Sequence, residues 1–72
     1  MTNSQKKVVV AKVNKINETL KNKKVVFTEF ENDQLQIEVF LPQKLVFQTM
    51  HNNTIEVLQE LKSNRFLDAI SE

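Results

Sequence analysis

The stretch that most constrains the fold is residues 24–41, KVVFTEFENDQLQIEVFL, in which two runs of alternating apolar and polar residues flank a polar segment. Alternation with a period of two is typical of half-buried strands, and two such runs around a turn predict a β-hairpin. Asn32 and Asp33 suit the turn, because Asn and Asp tolerate left-handed backbone and bond their own main chain. We therefore predict a small antiparallel sheet built on this hairpin.

The position of the turn fixes which strand residues face the core. Centring it between Asn32 and Asp33, with a loop of two or four residues, places Phe30 opposite Leu35. A slip of one residue would mix the two faces, which is costly when one face is buried. The apolar face in this register gives the predicted core: Val26, Phe30, Leu35, Ile37 and Val39.

Composition narrows the class of protein. The 72 residues make one small domain, which buries only about 60% of its unfolded surface, so we expect self-association to supplement the core. The lack of cysteine excludes disulfides and cysteine-ligated zinc, and the lack of glycine excludes phosphate-binding loops of the Walker and dinucleotide types. No apolar run reaches the length of a membrane span or a signal peptide. We expect a cytoplasmic protein without membrane contact.

The N-terminal segment admits two interpretations. Residues 1–5 are polar and expected to be frayed. The consecutive valines at 8–10 favour a strand, since β-branched residues lose side-chain freedom in a helix. We favour a strand over residues 7–13 followed by a short helix capped by Asn14. One continuous helix is the alternative, because four apolar residues recur at helical spacing: Val9, Val13, Ile16 and Leu20.

Helix signals dominate the rest of the chain. Pro42 ends the second strand and suits a first helical turn, so residues 43–51 are predicted as a helix, with a further extended segment as the alternative. Asn53 followed by Glu56 resembles a capping box and predicts a helix over residues 54–62. A break near Ser63 leaves residues 63–72 either packed on the core or as a separate helical tail. The predicted class is α+β, with C-terminal helices covering one sheet face.

No pattern in the chain indicates catalysis. His51 is the only histidine, and the two aspartates, Asp33 and Asp68, lie at a turn and near the end of the chain. A general base needs a positioned partner, and nothing fixes either aspartate beside His51. We predict a non-enzymatic protein with no catalytic, cofactor-binding or metal-binding residues.

Charge is divided unevenly along the chain. The first 24 residues hold seven lysines against one glutamate, whereas the remainder holds three cations against eight acids. Such a basic segment suits an anionic partner, and nucleic acid is the foremost. The segment lacks arginine for forked contacts and aromatic rings for base stacking. The alternative function is therefore a small DNA-binding regulator that uses lysines alone: Lys6, Lys7, Lys12, Lys15, Lys21, Lys23 and Lys24.

Apolar residues outside the predicted core favour a protein partner. Five of them, from the open end of the hairpin and the amphipathic C-terminal stretch, are candidates for a contact surface: Phe27, Phe40, Phe66, Leu67 and Ile70. The primary prediction is a protein-interaction module that forms a homodimer, of the accessory, inhibitor or assembly type found in phages and bacteria.

The order strand, short helix, hairpin and acidic helical tail is similar in layout to the prevent-host-death class of antitoxins. The matching segment is VNKINETLKNKKVVFTEFENDQLQIEVFLP, about two-fifths of the chain. This resemblance implies an N-terminal dimerising domain that contacts operator DNA and a tail that wraps a toxin. The turn lacks the basic, glycine-containing character of that class, and the N-terminal segment has no arginine, so the similarity is one of pattern.

Overall fold

A computed structural model describes all 72 residues of the chain. The elements follow in the order α1 (Asn3–Thr19), β1 (Lys24–Glu29), β2 (Leu35–Leu41), β3 (Lys44–His51), α2 (Thr54–Glu60) and α3 (Asn64–Ile70). The three strands form an antiparallel sheet in the order β1-β2-β3. This confirms the predicted α+β class, with a sheet centred on the hairpin and helices on one of its faces.

The N-terminal segment is one unbroken helix, so the predicted strand over residues 7–13 is wrong and the alternative is right. Val9 is fully buried and Val13 nearly so on the side of α1 that faces the sheet. A valine in a helix costs at most about 0.7 kcal/mol relative to alanine. Burying its side chain contributes about 1.5–3 kcal/mol, so packing outweighs propensity.

Helix α1 begins with a complete capping box. The Thr2 hydroxyl accepts a hydrogen bond from the Gln5 N–H at 3.1 Å, and the Gln5 side chain accepts one from the Thr2 N–H at 3.0 Å. The Met1 amino group lies 3.3 Å from the Glu29 carboxylate of β1. Residues 1–5 are therefore held in place, and the expected fraying is wrong. The spacing of Thr2 and Gln5 is that of a capping box and indicates the beginning of a helix.

The hairpin loop has three residues, 31–33, rather than two or four. The Phe30 N–H donates to the Gln34 carbonyl at 2.9 Å, and the Phe30 carbonyl accepts from the Asp33 N–H at 3.1 Å. Asp33 has a φ of 65°, in the left-handed region that Asp tolerates. A tight turn followed by one left-handed residue is the usual form of a three-residue hairpin loop.

Compared with the predicted register, this loop shifts the pairing of β1 with β2 by one residue, so the side chains of β1 exchange faces. Val25 pairs with Val39 and is buried, whereas Val26 is half-buried and Phe30 is 40% exposed on the opposite side. The prediction that Val26 and Phe30 belong to the core is wrong. The core residues predicted in β2 are correct: Leu35, Ile37 and Val39.

The third strand comes after the hairpin and not before it. Lys44–His51 pairs antiparallel with β2 after a turn at Pro42 and Gln43, so the helix predicted over residues 43–51 is wrong and the extended alternative is right. Phe47 of this strand meets Phe66 edge to face, with ring centroids 6.0 Å apart. The strand expected near the N-terminus is thus replaced by β3.

The two C-terminal helices begin at side-chain caps. The Asn53 side chain accepts from the Glu56 N–H at 3.0 Å, while the Glu56 carboxylate accepts from the Asn52 N–H instead of the Asn53 N–H. The Ser63 hydroxyl accepts from the Phe66 N–H at 3.2 Å and begins α3. The helix after Asn53 and the break near Ser63 are confirmed.

One apolar core joins all three helices to one face of the sheet. Phe66 is fully buried in it, so α3 packs on the core and does not form a separate tail. None of the three helices combines the length and the apolar composition needed to cross a membrane. The buried residues of the core are Val9, Val13, Val25, Leu35, Ile37, Val39, Val57, Leu61 and Phe66.

Candidate protein-interaction surface

One face of the sheet carries no helix. Side chains alternate along a strand, so the residues between the buried ones lie on the side away from the three helices. We call this side the outer face. The strands and the hairpin supply its residues: Lys24, Val26, Thr28, Phe30, Gln36, Glu38, Phe40, Gln48 and Met50.

The outer face is apolar at both ends and polar across its middle. At the hairpin end Phe30 is 40% and Met50 is 46% exposed, and the two side chains line the same shallow depression. At the open end Val26 and Phe40 are half-buried. Glu38 lies opposite Val26 in the polar middle. Large apolar side chains that share an exposed patch are typical of interaction sites.

A bulge extends the apolar surface towards the β2–β3 turn. The pairing of β2 with β3 is irregular between Val39 and Phe40, so that Phe40 lies opposite Leu45. A bulge re-aims side chains and increases the local twist. Leu45 and Val46 are 41% and 37% exposed beside it.

The five predicted contact residues do not form one surface. Only Phe40 lies on the outer face. Phe66 is fully buried, and Phe27 and Ile70 pack against the core, so these three stabilise the fold. Leu67 is 46% exposed, but it lies on α3, on the helical side of the sheet. Phe66 cannot contact a partner without unfolding α3, and its assignment as a contact residue is wrong.

The lysines of α1 are spread around the helix and do not form a single stripe. With about 3.6 residues per turn, Lys6 and Lys12 flank the buried side from opposite directions, and Lys7 and Lys15 point away from it. The Lys6 Nζ also lies 3.6 Å from the Glu29 carboxylate. The predicted nucleic-acid residues of α1 therefore share an element but face several directions.

The loop after α1 uses part of its charge within the fold. The Lys23 Nζ donates to two carbonyls at the end of α3, at 2.9 and 2.5 Å. The backbone N–H groups of Lys21, Asn22 and Lys23 converge on the Glu72 carboxylate at 2.8, 2.6 and 3.3 Å. These hydrogen bonds, led by that from Lys21, hold the pKa of Glu72 below its usual value. Lys21 and Lys24 keep exposed side chains.

His51 lies in a buried polar cluster at the end of β3. Its Nε2 is 3.0 Å from the Thr49 Oγ1 and 3.2 Å from a Glu60 carboxylate oxygen, and its Nδ1 is 3.8 Å from Glu56. These contacts join His51 and Thr49 of β3 to Glu56 and Glu60 of α2, so the cluster ties the strand to the helix.

Glu60 is the central anion of this cluster. It is only 3% exposed, and it accepts hydrogen bonds from the Arg65 guanidinium and the Ser63 hydroxyl. The hydrogen bonds from Arg65 lower the pKa of Glu60, against the opposing effect of burial. The sequence carried no signal for this contact, because His51 and Glu60 belong to different elements and no fixed spacing pairs them.

Comparisons of the chain with protein-family models, with curated proteins and with solved structures found no match in any of the three. The layout similar to the prevent-host-death antitoxins required an N-terminal strand, and α1 stands in that place. The site is therefore described from its own geometry.

Proposed function

We propose that this chain is a non-enzymatic protein-interaction module that binds another protein through the outer face of its sheet. The observation that carries the proposal is the pair Phe30 and Met50, 40% and 46% exposed and lining one depression on a face without helices. A sheet that served only as a scaffold would be expected to alternate apolar residues inward with polar residues outward.

The surface defines the chemistry of the partner. Its two apolar ends, Phe30 with Met50 and Val26 with Phe40, favour a protein that presents apolar side chains at both positions. The outer face carries one cation, Lys24, and one anion among its strand residues, Glu38. Charge therefore contributes orientation, and the apolar contacts contribute most of the affinity.

The test compares two double variants in a pull-down from an extract of the cells that express the protein. Val26→Lys with Phe30→Lys adds two charges to the outer face while leaving β3 unchanged. The matched control is Val8→Lys with Ile55→Lys, which adds the same charge at apolar residues that are 47% and 68% exposed on helices.

We expect the wild type and the control to capture the same protein, and the outer-face variant to lose it while keeping its far-UV circular dichroism. Equal capture by the outer-face variant would show that the partner binds elsewhere. Loss of capture by both variants would show that added charge alone disrupts binding, and would remove the outer face from the proposal.

A second candidate is the DNA-binding regulator that uses the N-terminal lysines. What supports it is that five of the seven have exposed side chains outside the contacts described above: Lys7, Lys12, Lys15, Lys21 and Lys24. Titration into mixed-sequence duplex DNA at about 50 and 200 mM salt tests it, because contacts to several phosphates weaken steeply over that range. Lys7→Glu with Lys12→Glu should abolish binding, whereas Lys44→Glu, at the start of β3, should not.

Homodimerisation, a cytoplasmic location and a phage or bacterial accessory role belong to the same proposal. The small core supports the first of these, since a chain of 72 residues buries a limited fraction of its surface. The outer-face proposal does not depend on any of the three.

A further inference from the structure

The two edges of the sheet differ in how their backbone groups are satisfied. At the β1 edge the Asn17 side chain acts as a substitute for a neighbouring strand. Its amide nitrogen donates to the Val25 carbonyl at 2.9 Å, and its amide oxygen accepts from the Val25 N–H at 2.8 Å. The outward groups of Val25 are therefore already bonded, which makes β1 a poorer template for another strand at this residue.

The β3 edge has no such cover. Strand β3 pairs with β2 alone, and no hydrogen bond joins its backbone to any side chain or to any other element. The strand is eight residues long, contains no proline and carries one formal charge, at Lys44. The charge at Lys44 and the bulge at Leu45 and Val46 are confined to the start of the strand, and residues 47–51 pair regularly with β2. This part of the edge is therefore a site for strand addition.

The hydrogen-bond pattern identifies which groups of β3 point outward. In an antiparallel sheet successive residues alternate between bonding one neighbour and the other. Because Val25 directs its groups away from β2, its partner Val39 directs its own towards β3, where it pairs with Phe47. The next residue, Gln48, therefore directs its N–H and carbonyl away from the sheet, and Met50 does the same.

We propose that β3 pairs antiparallel with β3 of a second copy of this chain, about a twofold axis at Gln48. The pairing would join two three-stranded sheets into one of six strands. An antiparallel pair of identical strands is self-complementary by symmetry, so a single surface serves both copies. The β1 edges, where Asn17 bonds the outward groups of Val25, would form the outer limits of the joined sheet.

Side chains match in this register. Val46 of one copy lies opposite Met50 of the other, and both are exposed apolar residues in the free chain, at 37% and 46%. Cross-strand apolar pairs of this kind contribute about 0.2–1 kcal/mol each. A register centred on Phe47 would instead oppose Val46 to Gln48 and lose this match.

Charges also match. Lys44 of one copy, which lies beyond the bulge, comes near the end of β3 of the other, where the Asn52 N–H binds the Glu56 carboxylate at 2.9 Å. The Glu56 side chain is 41% exposed and so can meet the incoming cation. The two Lys44 residues stay about 26 Å apart at about 3.3 Å per residue, beyond the reach of their mutual repulsion at physiological salt.

This inference gives a surface to the homodimerisation included in the proposed function, and it shares Met50 with the outer face, whose other exposed apolar residue, Phe30, lies at the hairpin. A single edge-to-edge contact is smaller than a standard interface, so we expect a dissociation constant in the range of roughly 10 µM to 1 mM. Sedimentation velocity from about 5 µM to 2 mM should show a reversible monomer–dimer equilibrium. A chain that stays monomeric at the highest concentration would overturn the proposal.

Charge exchange at Gln48 tests the register. Gln48→Lys alone and Gln48→Glu alone each place like charges face to face on the twofold axis, and each should weaken dimerisation about fivefold or more. An equimolar mixture of the two variants should regain at least the wild-type affinity, because the ammonium group of one variant then faces the carboxylate of the other. Gln59→Lys, at an exposed position of α2, is the control that should dimerise like the wild type.

Two results of the charge-exchange experiment would overturn the proposed pairing of β3 with β3. If both single variants dimerise like the wild type, or if the mixture stays as weak as its components, β3 is not the dimer strand. A thermal unfolding scan of each variant guards against loss of the fold. A dimer that survives here alongside a lost partner in the pull-down would separate this inference from the proposed function.

Discussion

Replacing Phe66 by alanine should strongly destabilise the chain. Phe66 is fully buried and stacks edge to face on Phe47 at 6.0 Å. Truncating a buried phenylalanine to alanine costs about 3–5 kcal/mol. A domain of this length has a total stability of about 4–11 kcal/mol, at about 0.05–0.15 kcal/mol per residue. The variant therefore loses from about a quarter to all of its stability.

The neighbouring residue provides the control. Leu67 is 46% exposed on the same helix, and Leu67→Ala removes a side chain of similar chemistry. We expect it to cost less than about 1 kcal/mol, as surface substitutions do. Urea denaturation followed by circular dichroism measures the free energy that each substitution costs. In a thermal scan, Phe66→Ala should lower the melting temperature by at least about 12 °C.

Equal effects of the two substitutions would refute the placement of α3 on the core. So would a Phe66→Ala variant that keeps the wild-type denaturation midpoint, because a separate tail would unfold without changing the domain. Phe66→Leu keeps most of the apolar volume and should recover more than half of the loss. A Phe66→Leu variant as unstable as Phe66→Ala would show that the aromatic contact, and not burial, dominates.

Three further predictions concern polar contacts. The pKa of Glu60 is lowered in the folded chain, mainly by the hydrogen bonds from Arg65, so its contribution to stability is complete above the pKa of the unfolded chain and is lost as the pH falls through the folded value. By urea denaturation, Glu60→Gln should cost about 1.5–3 kcal/mol at pH 7 and progressively less in increasingly acidic buffer. Asn17→Ala opens the β1 edge at Val25 and should raise light scattering of concentrated samples, whereas Asn14→Ala, on the exposed side of α1, should not. Thr2→Ala removes the cap of α1 and should cost about 1 kcal/mol, while Thr2→Ser should cost little.

Local signals predicted the elements that depend on local chemistry. The turn residues located the hairpin, Asn53 located the start of α2, and Ser63 located the break before α3. Residues 7–13 and 43–51 were assigned wrongly, because short apolar windows can satisfy both the helix and the strand periodicity and tertiary packing chooses between them. Pro42 suited a helix start and a turn equally well, so it could not decide the structure of the segment that follows.

The sequence predicted an apolar contact surface, but most of the residues it named do not lie on the outer face. Phe40 was correctly placed away from the buried residues of β2, although the register that put it there was wrong by one residue. Met50 was assigned to a helix and therefore not considered as part of a sheet face. The cluster of His51 with Glu60 could not be anticipated, since it depends on how α2 docks on the end of β3.

The three-residue loop explains why the outer face carries the apolar residues of β1 and the hairpin. Strand β1 carries apolar residues on both sides, so either side could be buried, and the choice falls to the loop that sets its register. The left-handed Asp33 turns Val25 inward and leaves Val26 and Phe30 outside. The same choice brings Glu29 to the helical side, where the Met1 amino group at 3.3 Å and the Lys6 Nζ at 3.6 Å neutralise it. The fold thus supplies two cations to one strand carboxylate while leaving Phe30 40% exposed, and the proposed binding role would account for that exposure.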